Sequence, residues 1–436
     1  MNQKLTVLSA HLCRHALRLL LPLLAVALLL GACSKDKDEM DEEPPQEQPT
    51  AGTAEGRTVL VYMAAENSLA TYASADVNEI LQGAEYMGAK DHVLVYLDNT
   101  GKPCIYDITF WQKGKKLSEL TPVLEYDTNL DSCTPETFSG VLDFVQQNYA
   151  APSYGVVFWS HGSGWLPPQL VTAGDYSQAW GARRRAFGFD NQQNKEVNGG
   201  NQLTINQLRD VLLQHGTFDF ILFDACFMQN IEVAYQLRSC ARYIIGSPAE
   251  IPALGAPYDT MLKPMFQDTD YIPGMVQTYY EAYLGDPLYG VLLSAVDCSR
   301  LEAVAQLTRP FVQQYKQTLL EMDYTDVLDY YNWDSFPFYG YSDYYDMQGL
   351  LRAVLSEDDY QQWQPQYQKL FAAQAHTAHW YSAFNNRADN AVIDAQYSGI
   401  SMHVPLYKYA ARNKWFAPAY YETDWAKAVW NETPTE

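Results

Sequence analysis

From Arg57 onward the chain alternates short apolar runs with amphipathic stretches. Residues 58–64, 92–98, 154–160 and 218–224 are runs rich in Val, Ile, Leu, Tyr and Phe. Each has the length of a strand buried on both faces. Between them, residues 75–86, 135–149 and 203–213 space their apolar positions three and four apart, as a helix does. Thr204 is a predicted N-cap for the last, and Gln207 three positions on completes a capping box. Strand, helix and strand in repetition predict an α/β fold: a mainly parallel sheet with helices on both faces. Residues 243–247 and 290–296 extend that sheet, and no internal repeat of fixed period is present.

After Ser299 the texture changes. Helical patterns at 301–320, 347–355 and 360–375 are interleaved with an aromatic, turn-rich segment at 330–345. A strand at 399–404 precedes a Trp- and Tyr-rich tail. The expected organisation is a catalytic-type α/β domain over 57–298, with a helical, aromatic-rich region over 299–436 packed on its core. The aromatics read as core or domain interface, with a peptide or glycan groove as the alternative.

The N-terminus carries targeting information. Lys4, Arg14 and Arg18 form a basic region before an apolar run, 19–30, that Pro22 interrupts and that is too short to span a bilayer. It ends in Leu30-Gly31-Ala32-Cys33, which resembles a bacterial lipobox. The expectation is a signal peptide over 1–32, lipid on Cys33, and a disordered acidic and Pro-containing tether over 33–56. Such an acidic stretch resembles the surface-export signal of Bacteroidetes lipoproteins. An outer-membrane lipoprotein at the cell surface is expected, with the periplasmic face as the alternative.

Composition narrows the function. The 436 residues hold 29 Lys and Arg against 52 Asp and Glu, a net charge of −23. That balance excludes nucleic acid as a partner, because phosphate neutralisation needs clustered cations. The membrane is then reached through the lipid alone. Once the signal is removed and Cys33 is lipidated, Cys104, Cys133, Cys226, Cys240 and Cys298 remain. An odd number in a disulfide-permissive compartment leaves at least one free thiol to explain.

The candidate chemistry sits after two predicted strands, at the edge where open α/β sheets place their sites. The strand at 154–160 empties into His161-Gly162-Ser163-Gly164-Trp165, and that at 218–224 into Ala225-Cys226-Phe227-Met228. A lone Cys after an apolar strand is commonly a small core residue, and a lone His before glycines a turn residue. Their pairing on neighbouring strand ends points instead to a nucleophile and its acid–base partner. A helix starting near Asn230 is expected to favour the thiolate by its dipole. The N–H groups of Gly162 and Cys226 would form an oxyanion hole. Ser163 as a serine nucleophile is weak, since no strand-to-helix elbow surrounds it. No metal ligands are assigned.

These residues, with Glu232-Val233-Ala234-Tyr235, Asp76-Val77-Asn78-Glu79-Ile80 and Phe187-Gly188-Phe189-Asp190, resemble the clostripain family of cysteine peptidases in the caspase-like clan. The resemblance implies a caspase-like fold and a cysteine endopeptidase acting on proteins or peptides through His161 and Cys226. It places Asp224 at the S1 pocket, where a carboxylate attracts Arg or Lys. It also implies a second S1 acid near Leu254, where this chain is apolar, so a basic but not strict P1 preference is expected. Self-cleavage at Arg185, within Arg183-Arg184-Arg185, follows from the same likeness. No obligatory cofactor is implied, and Ca2+ is permitted. The alternative is an inactive caspase-like surface lipoprotein that binds peptide or glycan.

Overall fold

In the computed structural model, the described residues are 56–99, 101–166, 187–190, 201–330, 343–382, 392, 396–409 and 417–430. The expected signal peptide, Cys33, residues 33–55 of the tether and Arg185 lie outside them.

The apolar runs form the centre of one sheet. In chain order its first half comprises β1 (Arg57–Ala64), helix α1 (Ala70–Gly83), β2 (His92–Asp98), β3 (Cys104–Ile108), β4 (Leu124–Glu125), α2 (Pro135–Asn148) and β5 (Ser153–Trp159). A short hairpin, β6 (Phe187–Asp190) and β7 (Asn201–Leu203), stands apart from it. Then come α3 (Ile205–Gln214), β8 (Phe218–Asp224), α4 (Ile231–Gln236), β9 (Ala241–Gly246), α5 (Tyr258–Met265), α6 (Tyr271–Tyr283) and β10 (Leu292–Asp297). With β12 (Phe371–His376) from the C-terminal region, the nine strands are ordered β12-β10-β9-β8-β5-β1-β2-β3-β4. The five at the centre, β9 to β2, run parallel, and the outer ones are antiparallel.

Successive residues of β1 face opposite layers, because side chains alternate across a strand. Leu60, Tyr62 and Ala64 join the core shared with α2, α3 and the C-terminal helices. Val59, Val61 and Met63 join the core shared with α1, α5 and α6. That two-sided burial is why the central strands read as continuous apolar runs. Thr204 caps α3 as expected: its hydroxyl accepts from the Gln207 N–H at 3.2 Å, and Gln207 Oε1 receives the Thr204 N–H at 2.9 Å.

The C-terminal region differs from the expected pattern. It comprises α7 (Leu301–Gln314), α8 (Lys316–Glu321), β11 (Tyr345–Asp346), α9 (Met347–Val354), α10 (Glu357–Tyr367), β12 (Phe371–His376), β13 (Ser401–Met402) and α11 (Asp424–Val429). The helix expected over 360–375 ends at Tyr367, and Phe371–His376 pairs antiparallel with β10 as an outer strand of the main sheet. The expected strand at 399–404 is reduced to Ser401–Met402, which pairs with β11 in a separate two-stranded sheet. All five described cysteines are free thiols.

Candidate active site

β5 and β8 pair in parallel with Trp159 opposite Asp224. The chain leaves both strands at the same edge, so the His161 and Cys226 loops emerge side by side. A Cβ on Gly162 would lie 2.5 Å from the Cys226 carbonyl oxygen and 3.0 Å from Ala225 Cβ. The two loops therefore touch at a point where only glycine fits. A Gly188 N–H bond to His161 O, 3.0 Å, ties the same loop to β6. Gly164, at φ +63, closes the turn where a Cβ would strike Asn230 Nδ2 at 2.3 Å.

His161 Nε2 lies 3.0 Å from Ser68 Oγ, within hydrogen-bonding distance, and its ring meets Phe189 edge-on at 6.0 Å. Ser68 belongs to the turn after β1. Asn67 of that turn donates to Ala64 O at 2.9 Å and to Phe189 O at 2.8 Å, joining the β1 edge to the hairpin beside the imidazole. The sequence reading missed both residues. Their position just past the first strand, on the same edge as His161, was the signal available.

Cys226 is half-buried, and its sulfur accepts from the Ile251 N–H at 3.5 Å. Burial pushes the thiol up to about 12, the Glu250 carboxylate adds to that, and the Ile251 N–H works against it. Helix α4 starts at Ile231, beside the expected Asn230, and is six residues long; Asn230 caps it by accepting from the Val233 N–H at 3.0 Å. Burial outweighs whatever its N-terminus gives the thiolate. The loop itself is held rigidly. Phe227 takes a left-handed φ of 60°, costly for a residue with a bulky side chain. It is kept there by its N–H bond to Ala249 O, 2.9 Å, and by stacking on Tyr344 at 4.8 Å.

Asp224 is only 3% exposed and carries three hydrogen bonds. Oδ2 accepts from the Ala256 N–H at 3.0 Å and Tyr258 Oη at 2.9 Å, and Oδ1 from Tyr279 Oη at 2.8 Å. Burial raises its pKa and these donors oppose the rise. A second acid stands close by. A Cβ on Gly255 would lie 2.7 Å from Asp224 Oδ2 and 3.3 Å from Asp76 Oδ2, so the two carboxylates flank that glycine. Asp76 comes from α1 and accepts from Trp159 Nε1 at 2.7 Å. Burial, then the Asp224 charge, holds it well above the usual carboxylate range. Leu254 is half-buried against the α1 and α5 side of the core. Glu250, buried beside the thiol, and Asp76 are site acids the sequence reading gave no role.

Known proteins of one family share this chain's sequence pattern and its fold. The sequence pattern of the clostripain family matches residues 61–432. Clostripain from Hathewaya histolytica is 30% identical over 124 residues, which is 28% of this chain and 20% of that protein's length. A secreted C11 cysteine protease from Bacteroides thetaiotaomicron, solved in complex with an irreversible peptide inhibitor, superposes with a TM-score of 0.69. It is 29% identical, with 87% of this chain and 100% of that one covered. An inactive zymogen C11 protease from Parabacteroides distasonis gives the same TM-score at 28% identity, covering 87% and 99%.

Proposed function

This chain belongs to the clostripain family of cysteine peptidases, and from that membership we propose an endopeptidase that works through a His161–Cys226 dyad. The observation that carries the reading is the contact of the two loops at Gly162, on strands paired in register. The thiol proton passes to His161 and the sulfur attacks the peptide carbonyl carbon. The N–H groups of Gly162 and Cys226 are suited to the oxygen that then gains charge. The C–N bond breaks as imidazolium returns its proton to the leaving amine, which leaves a thioester. Water then gives a proton to His161 and attacks that carbonyl, and the C–S bond breaks as the imidazolium returns this proton to the sulfur, releasing the carboxylic acid and restoring the thiol. A thiol near 12 is almost wholly protonated at neutral pH, so the described state is read as resting, with proton transfer accompanying substrate binding.

A P1 preference for Arg or Lys is supported by the carboxylates of Asp76, Asp224 and Glu250. Apolar Leu254, and an Asp224 whose oxygens are already engaged, support tolerance rather than strictness. Self-cleavage at Arg185 and lipid on Cys33, with display at the cell surface or alternatively on the periplasmic face, are part of the proposal. No helix among the described residues is long and apolar enough to cross a membrane.

The test is hydrolysis of fluorogenic peptides bearing Arg, Lys, Leu or Asp at P1. Wild-type protein is expected to cleave, Cys226→Ala to be inactive, and His161→Ala to lose roughly 10²- to 10⁴-fold. Turnover retained by Cys226→Ala overturns the dyad. The raised thiol and the acid beside it favour one second reading, an inactive surface module. Peptide or glycan binding without cleavage by any form of the protein would establish that instead.

A further inference from the structure

Three acids that the peptidase chemistry does not use converge behind the turn that carries Ser68. Glu66 lies in that turn, Asp98 ends β2, and Asp190 ends β6. Each offers a carboxylate oxygen, and these oxygens lie within 4.8 Å of one another. From this cluster and its buried free oxygen, we infer that Glu66, Asp98 and Asp190 bind one Ca2+ ion.

The free oxygen is what sets the cluster apart from a surface acidic patch. Asp98 is fully buried; its Oδ2 accepts from Ser132 Oγ, while its Oδ1 is buried with no hydrogen-bond donor facing it. A buried carboxylate oxygen left so is costly. The other two acids are already aimed by neighbours. Asp190 Oδ2 accepts from the Ser132 N–H at 2.8 Å, and Glu66 Oε2 from Asn129 Nδ2 at 3.3 Å. Tyr62 Oη donates to Ser132 O at 2.7 Å, and Tyr96 Oη lies 2.9 Å from Ser132 Oγ. Ser132 is thus fixed as the residue that orients two of the ligands, the outer-shell arrangement of a metal site.

An all-oxygen, carboxylate-rich set suits a hard divalent cation. Oxygens bound to one Ca2+ at 2.3–2.6 Å stand no more than about 5 Å apart, so these three can share an ion where they are. Ca2+ also tolerates irregular geometry and completes its shell with water, which half-exposed Glu66 admits. The competing occupant is a proton shared between Asp98 and Asp190. Burial, with the carboxylates of Asp190 and Glu66, pushes Asp98 up to about 8 against the Ser132 hydrogen bond. The family resemblance permits Ca2+ without placing it.

The location gives the ion a role. Glu66 is two residues from Ser68, which contacts His161, and Asp190 follows Phe189, whose ring meets the imidazole. An ion joining Glu66 to Asp190 would fasten together the two walls between which His161 sits. The inference does not depend on the peptidase reading, because the cluster binds or fails to bind whether or not Cys226 reacts.

The test uses the full chain carrying Cys226→Ala, stripped with EDTA and dialysed, then titrated calorimetrically with CaCl2 and melted with and without it. One Ca2+ per chain and a rise in melting temperature of about 5 °C at saturation are expected. Asp98→Asn should abolish the heat and the shift, yet melt no lower than the parent in EDTA, which separates lost binding from misfolding. Glu66→Gln, at the half-exposed ligand, should weaken binding at least tenfold. No heat and no shift at millimolar Ca2+ would overturn the inference in favour of the shared proton. So would a response to Mg2+ alone, or a Ca2+ response unchanged in both variants.

Discussion

The Tyr344 hydroxyl donates to the carbonyl oxygen of Ser163 at 2.7 Å, although the residues stand 181 positions apart. The same ring stacks on Phe227 at 4.8 Å. One side chain from the C-terminal region therefore braces the His161 loop and the Cys226 loop together. Tyr344→Phe keeps the stacking and removes the hydroxyl that donates to Ser163 O. The expected cost is about 0.5–1.5 kcal/mol in denaturant unfolding, with a drop in kcat for any cleaved peptide. An unchanged kcat would mean the bond serves stability alone.

Gly162 is expected to tolerate no side chain. In Gly162→Ala the new methyl meets the Cys226 carbonyl, a backbone atom that cannot move aside cheaply. Overpacking of this kind costs roughly 1–3 kcal/mol, and the thiol should move with it. Gly140→Ala in α2 is the control, since nothing lies within 4 Å of its Cβ position. That variant should be neutral or slightly stabilised in thermal unfolding, with activity intact.

Glu250 should hold the resting thiol less reactive. Its carboxylate is the largest contribution after burial to the raised pKa of Cys226. Glu250→Gln removes the charge, so the pH profile of thiol alkylation should move to lower pH. Thiolate at a fixed pH well below the pKa becomes about tenfold more abundant for each 1.4 kcal/mol by which the charged form is favoured. A profile that stays in place would assign the effect to burial alone.

Asp224→Asn separates the two roles open to that acid. The amide loses the charge but keeps one oxygen, which can face the Ala256 N–H and Tyr258 Oη while its NH2 donates to Tyr279 Oη. If the carboxylate draws basic side chains, kcat/KM for Arg and Lys at P1 should fall about ten- to a hundredfold while neutral P1 peptides are spared. Leu254→Asp should act oppositely and sharpen the basic preference. An equal loss across all peptides would make Asp224 a brace for the loop.

Glu232 gives the fold a pH dependence. It is buried; Oε1 accepts from the His403 N–H at 2.9 Å, and burial pushes its pKa up to about 8 against that bond. The native state then holds a proton that the unfolded chain has released above its ordinary pKa near 4.3. Stability should therefore fall as pH rises from about 4 to about 8, by up to roughly 1.4 kcal/mol for each tenfold drop in proton concentration. Glu232→Gln should flatten that part of the profile, read as the wild-type minus variant difference in unfolding free energy. A difference independent of pH would show that Glu232 is not the group responsible.

Local sequence determined the central strands, the α3 capping box and the two loops with chemistry in them. These are legible because they depend on neighbours in the chain: a strand buried on both faces must be apolar throughout, and a cap needs Thr204 and Gln207 three apart. The segment Phe371–His376 was not legible. Its alanines suit a helix, and only pairing with β10 makes it a strand, since strand preference is mostly a property of the surroundings. The site divides the same way. His161, Gly162 and Cys226 announce themselves beside strand ends, but Ser68, Asp76, Glu250 and Tyr344 do not. Their effects come from distance and burial, through a hydrogen bond at His161, a charge near Asp224, a field at the thiol and a brace across 181 residues. Whether a carboxylate is a surface charge or a group that changes its neighbour's pKa depends on the low-dielectric surroundings built by chain folded around it, and only the tertiary structure decides that.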